Sequence, residues 1–167
     1  MPLPESRVLA PADLPRLGES LRVTGKVVVW TNGCFDLLHF GHARSLQAAR
    51  ALGDILVVGV NSDPSVRRLK GIKRPIVPAK ERAELVASLR CVDFAVIFDE
   101  ATPEECLRLL RPAIHCKGAD YAPPNGKPIP EKALVESYGG KVAFLPLIKG
   151  LSSSGLIQRI RKLPDGE

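Results

Sequence analysis

The chain predicts an α/β fold: a doubly wound, five-stranded parallel sheet with helices on both faces. Three observations carry that reading. Short β-branched runs alternate with segments of helical pattern. The runs are continuously apolar, as strands buried on both faces are. A length of 167 residues with 45% hydrophobic content suffices for one domain with its own core.

Residues 1–22 read as an N-terminal extension, rich in prolines and acidic residues, with helical character over 12–19. They hold no apolar stretch of the kind a secretory signal needs. The first strand is 27–31, followed by a glycine-bearing loop and a helix over 42–52 that Gly53 stops. Asp54 leads into the second strand, 55–61, after which 67–74 is a basic loop. A helix over 79–89 and a third strand over 94–98 follow. Thr102-Pro103-Glu104-Glu105 reads as a capping box, with Thr102 as N-cap, Pro103 at N1 and Glu105 at N3, opening a helix to 110. The fourth strand is 114–117, and the Pro-rich 122–130 is a loop. A helix over 131–138 ends at Gly139-Gly140, the fifth strand is 142–146, and the last helix is 153–162. These elements make one domain over 23–163 and leave 164–167 as a flexible tail.

No apolar run reaches the roughly 20 residues that cross a bilayer, so the expectation is a cytoplasmic protein without a membrane partner. Cys34, Cys91, Cys106 and Cys116 form no CxxC pair and no zinc-finger spacing, which points to reduced thiols. The net charge of +6 is concentrated in Arg67-Arg68-Leu69-Lys70-Gly71-Ile72-Lys73-Arg74. That cluster has no aromatic platform and no nucleic-acid-binding pattern, so small anionic substrates explain it better than nucleic acid does.

The candidate chemistry gathers at strand ends, where open parallel sheets bind ligands. Thr31-Asn32-Gly33-Cys34-Phe35-Asp36-Leu37-Leu38-His39-Phe40-Gly41-His42 joins the first strand to the first helix. Unpaired N–H groups and the dipole at a helix start favour an anion. Gly41 lets a phosphate approach the backbone between His39 and His42. A metal pair completed by Asp36 is the alternative for the histidines, and a core role the plain one. Cys34 has no general base assigned to it, which argues against a catalytic thiol. Lys70 suits a mobile phosphate contact, and Arg82 is a further candidate at the start of its helix. Ser152, Ser153 and Ser154 supply more hydroxyls than one N-cap requires, which makes a second anion site. Lys117, Gly118 and Asp120 follow the fourth strand, with Asp120 either a ribose acceptor or a turn residue.

His39-Phe40-Gly41-His42 with the distal serines resembles the HxGH nucleotidyltransferase superfamily, the cytidylyltransferase-like proteins of Rossmann-like fold. Within it, the chain is similar to the D-glycero-β-D-manno-heptose 1-phosphate adenylyltransferases of ADP-heptose synthesis. Thr31-Asn32-Gly33-Cys34-Phe35-Asp36, Ser65-Val66-Arg67-Arg68-Leu69-Lys70-Gly71, Lys117-Gly118-Ala119-Asp120-Tyr121 and Val135-Glu136-Ser137-Tyr138-Gly139-Gly140 carry that likeness. It runs from about Val23 to Arg161.

The resemblance implies AMP transfer from ATP, with Mg²⁺, to a sugar 1-phosphate in lipopolysaccharide core or related glycan synthesis. It assigns His39, His42 and Lys70 to catalysis, and Asp36 to either the sugar phosphate or Mg²⁺. Gly33, Cys34, Phe35, Gly41, Arg82, Lys117, Gly118, Asp120, Ser152, Ser153 and Ser154 fall to the nucleotide. It also implies a homodimer, and a stand-alone transferase, since the sugar kinase fused to many relatives has no room here. Ser152-Ser153-Ser154 departs from the family's serine-threonine-threonine, and Ala119 replaces a second glycine. The competing expectations are a cytidylyltransferase for glycerol 3-phosphate and a non-catalytic nucleotide-binding module.

Overall fold

The computed structural model describes residues 3–146, 148 and 150–163. In chain order its elements are β1 (Val8–Leu9), α1 (Leu14–Val23), β2 (Val28–Gly33), α2 (Phe40–Arg50), β3 (Ile55–Asn61), α3 (Asp63–Lys70) and α4 (Ala79–Ser88). They continue with β4 (Phe94–Phe98), α5 (Glu104–Leu110), β5 (Ile114–Gly118), α6 (Lys132–Ser137), β6 (Lys141–Leu145) and α7 (Ser153–Arg161). The strands form one sheet in the order β1-β4-β3-β2-β5-β6, and every pairing is parallel.

Alternation along each strand feeds two cores. Val29, Leu56, Val58 and Val60 point to one face, where Leu46 and Ala49 of α2 and Ala83 and Val86 of α4 meet them. Val28, Trp30 and Val57 point to the other, against Leu14 of α1, Leu107 and Leu110 of α5 and Val135 of α6. This period of two on strands buried on both sides is what produces the continuous apolar runs. Gly59 is a packing requirement here: a Cβ would stand 2.5 Å from the Trp30 ring.

The expected helices on both faces are present, but the sheet has six strands rather than five. The sixth, β1, comes from the segment read as an extension. Two residues carry no periodicity, and only their pairing with Ala95 and Val96 of β4 makes them a strand. Leu14 is fully buried, and Arg22 reaches across to donate to the Leu110 carbonyl at 3.0 Å. The N-terminal segment is therefore built into the sheet from residue 8. The tail expected at 164–167 lies outside the described residues.

Two local expectations also change. Part of the basic segment is the helix α3, not a loop: Ser62 caps it by accepting from the Ser65 N–H, and Gly71 ends it at φ 93°. Its cationic last turn, Arg67, Arg68 and Lys70, complements the helix dipole. The capping box at Thr102 does not form. Pro103 occupies the cap with no side-chain bond, and the Thr102 hydroxyl bonds the Glu104 carboxylate at 3.2 Å instead.

The chain leaves β2 toward β3 on one side and returns to β5 on the other. The crevice at that reversal lies outside the carboxyl ends of β2 and β5, where such sheets bind ligands.

Candidate active site

A cavity of about 600 Å³ opens at that crevice, within the range of small-ligand sites. The loop after β2 forms its floor. Phe35 adopts φ 48°, a backbone conformation that a bulky side chain takes at a cost of order 1–3 kcal/mol and that clusters at functional loops. Its ring packs on His42 with centroids 5.2 Å apart.

His39 caps α2. Its Nδ1 accepts the Gly41 N–H at 3.1 Å, so the proton of the neutral ring sits on Nε2. His42 stacks on it at 3.8 Å with the planes 22° apart. Burial, with the His39 ring against it, pushes His42 down to about 4, and burial also lowers His39. Both imidazoles are thus uncharged near pH 7 and act as N–H donors rather than as fixed cations. Gly41 fits between His39 and the segment leading into α7: a Cβ there would stand 3.0 Å from the His39 ring and 3.3 Å from Leu151.

α7 approaches from the far end of the chain. Ser152 caps it by accepting the Gly155 N–H at 3.0 Å, and Ser153 donates to the Leu37 carbonyl at 3.2 Å. The second serine therefore latches the last helix onto the site loop. With Ser154, all three serines line the cavity. Two helix N-termini, α2 and α7, meet at one side of it.

Lys70, the last residue of α3, is exposed and lines the cavity, as do Gly33, Cys34, Phe35, Lys117 and Gly118. Burial raises the Cys34 thiol, partly offset by Lys70 and Arg82, which keeps it protonated and unsuited to attack. Asp36 lines the cavity too, but its carboxylate is occupied. It pairs with Arg74 and accepts the Ile76 and Val77 N–H groups at 2.7 and 3.0 Å. Burial raises its pKa, yet these bonds overcome that and hold it below the usual carboxylate range. Asp36 thus lines the cavity while anchoring the 74–77 loop.

Arg82 and Asp120 are not brought to the cavity. Arg82 is fully buried and donates to the Cys34, Asn61 and Val77 carbonyls and to the Asp63 carboxylate, at 2.5 to 2.7 Å. With four of its five N–H groups committed and the side chain out of reach of the cavity, this guanidinium supports the loop from beneath. Asp120 pairs with Lys127 at 2.5 Å on the exposed rim.

The structure adds cavity residues that sequence reasoning passed over: Asn32, Asn61, Arg74, Thr102, Tyr121 and Glu131. Arg74 and Asn61 lay within segments already singled out. Glu131, a single acidic residue before a short helix, gave no signal. Its carboxylate is 1% exposed. It accepts from His115 Nε2 at 3.0 Å and pairs with Lys117.

Among the described residues no group of three or more His, Cys, Asp or Glu gathers to hold a metal ion. No helix among the described residues is long and apolar enough to cross a membrane.

A family profile described as cytidylyltransferase-like matches residues 30–158. The bifunctional protein HldE of Syntrophotalea carbinolica is 53% identical over 152 residues, covering 87% of this chain and 30% of that protein. The Helicobacter pylori HldE is 47% identical over 149 residues, covering 89% of this chain and 31% of its own length. This chain thus spans about a third of the curated relatives it matches. A crystal structure of a lipopolysaccharide core biosynthesis protein from Thermoplasma volcanium superposes with a TM-score of 0.60 at 30% identity, covering 75% of this chain and 98% of that one. With the paired histidines, the adjoining helix N-termini and the crevice at the sheet reversal, these likenesses lead to one conclusion: the chain belongs to the cytidylyltransferase-like family of nucleotidyltransferases.

Proposed function

We propose that this chain transfers AMP from ATP to D-glycero-β-D-manno-heptose 1-phosphate, giving ADP-heptose and pyrophosphate for lipopolysaccharide core or related glycans. The observation that carries the reading is the stacked, uncharged histidine pair at the start of α2, set beside the N-terminus of α7 in one cavity. The similarity to HldE proteins supports the choice of substrates.

In the reaction an oxygen of the sugar phosphate bonds to the α-phosphorus of ATP. The bond from that phosphorus to the bridging oxygen breaks, and its electron pair leaves with pyrophosphate. A phosphate monoester, with a second pKa of about 6, is already largely dianionic at neutral pH, so no general base is needed. The requirement is stabilisation of charge on the α-phosphate and the leaving group. His39 and His42 donate N–H bonds to that charge. The N-terminus of α7 with Ser152, Ser153 and Ser154 holds the outer phosphates.

Lys70, exposed on the cavity lining, draws the two anionic substrates together. Backbone groups of Gly33, Cys34 and Phe35 and the bare backbone at Gly41 cradle the phosphates, while Lys117 and Gly118 face the nucleoside. Mg²⁺ would come with ATP as its substrate complex and would supply charge neutralisation on the phosphates. The transferase unit is residues 23–163, braced by β1 and α1. A homodimer and a cytoplasmic setting complete the proposal, the latter suited by four free cysteines.

Pyrophosphate release with Mg²⁺ tests the reading, with ATP or CTP each offered heptose 1-phosphate or glycerol 3-phosphate. Release only with ATP and heptose 1-phosphate is expected. Release with CTP and glycerol 3-phosphate would overturn the substrates, and ATP binding without release in any pair would overturn the reaction.

A further inference from the structure

Lys117 and Glu131 stand on the cavity wall, packed with a third ionisable side chain, His115. His115 is 0% exposed, Glu131 1%, and the Lys117 side chain 14%. One carboxylate oxygen of Glu131 takes both the His115 Nε2 contact at 3.0 Å and the Lys117 ammonium. Ionised carboxylates are expensive to bury, and a core of apolar residues at this place would be at least as stable. The group therefore asks for a role beyond joining β5 to the segment before α6.

The protonation states follow from the contacts. Burial pushes Glu131 up, but the bonds from His115 and Lys117 outweigh it and bring it down to about 2. Burial holds His115 down against the pull of that carboxylate, so it stays neutral with Nε2–H donating. The wall then contains one carboxylate and one ammonium, and its net charge is zero. Lys117 Nζ also lies 5.1 Å from the centre of the Tyr121 ring, and Pro128 and Pro130 continue that surface. An aromatic ring and two prolines beside a charge-neutral donor suit a flat heterocycle with its ribose. They do not suit a triphosphate.

We infer that Glu131, fixed by His115, is a positioning residue that neutralises Lys117 and aims it as a hydrogen-bond donor at the nucleoside of the bound nucleotide. Lys117 then contributes to recognition of base and ribose and not to phosphate binding, which falls to Lys70 and the histidines. The inference rests on the reading of ATP as the nucleotide.

The test compares the unaltered chain with Glu131→Gln, Lys117→Gln and the double variant. Pyrophosphate release is measured against ATP concentration, with adenosine and inorganic pyrophosphate as separate inhibitors. Glu131→Gln keeps an acceptor for His115 and loses only the charge that aims Lys117. It is expected to raise the KM for ATP and the inhibition constant of adenosine about tenfold, with kcat and the KM for heptose 1-phosphate within twofold. Pyrophosphate inhibition stays the same or tightens, since Lys117 is no longer neutralised. The double variant matches the worse single variant instead of multiplying the two effects.

An unchanged adenosine constant would overturn the inference, as would equal weakening of adenosine and pyrophosphate inhibition, or a hundredfold loss in the double variant. Should either single variant fail to fold, the double variant, which buries no charge, answers alone through its adenosine constant. If the unaltered chain itself releases no pyrophosphate from ATP, the reading of the reaction fails first. Adenosine binding to the two chains, followed by calorimetry, then judges the role of Glu131 separately.

Discussion

At the end of the cavity where α2 and α7 begin, burial acts on His39 and His42 with no carboxylate contributing, and both rings give up their protons. At the wall beyond β5, burial acts on Glu131 as well, yet two donors hold it ionised at about 2. The same desolvation yields neutral donors in one region and a closed ion pair in the other, because only the second region supplies partners. Charge that develops during a reaction can be met only where donors are not already spent. On the function proposed above, the chemistry falls to the histidines and Lys70, and selection of the nucleoside to the closed pair.

Several variants probe that division, beginning with the support beneath the histidine loop. Arg82→Met removes a buried guanidinium from three carbonyls and Asp63, leaving that carboxylate unpaired. It should lower stability by about 3–5 kcal/mol in denaturant titration, while ATP affinity of the remaining folded protein changes little. Asp36→Asn weakens the charge-assisted bonds that anchor the 74–77 loop, and about 1.5–3 kcal/mol of stability should go with it. Lys70→Ala is expected to leave Tm unchanged and to raise the KM for the sugar phosphate roughly tenfold, about 1.4 kcal/mol.

The pH response separates the two regions along the pH axis. Because His42 binds its proton less readily folded than unfolded, it makes stability fall as pH drops from about 6.5 to about 4. Glu131, lowered from 4.5 to about 2, keeps its full contribution above pH 4.5 and loses it as pH falls through that lower range. Urea unfolding at stepped pH should show His42→Ala flattening the upper window only, and Glu131→Gln the lower one only.

The parallel sheet and the histidine loop were legible because they rest on local signals: continuous apolar runs, and a glycine between two histidines at a helix start. Helix α3 was also signalled, by Ser62 at its cap, Pro64 in its first turn and Gly71 at its end, but its low apolar content made it read as a loop. Strand β1 was not legible, since Val8 and Leu9 become a strand only through β4. The same limit applies to side chains. An arginine, an aspartate or a glutamate reads alike in sequence whether free or occupied. The partners of Arg82, Asp36 and Glu131 lie on other elements, so only the fold distinguishes a ligand contact from a brace.

The division between the two ends stands or falls on steady-state kinetics of His42→Ala with ATP and heptose 1-phosphate. Here kcat should fall roughly 10²–10³-fold, with the KM for ATP within a few-fold and Tm no lower than that of the unaltered chain. Near-normal turnover would contradict the placement of the chemistry at the histidine end.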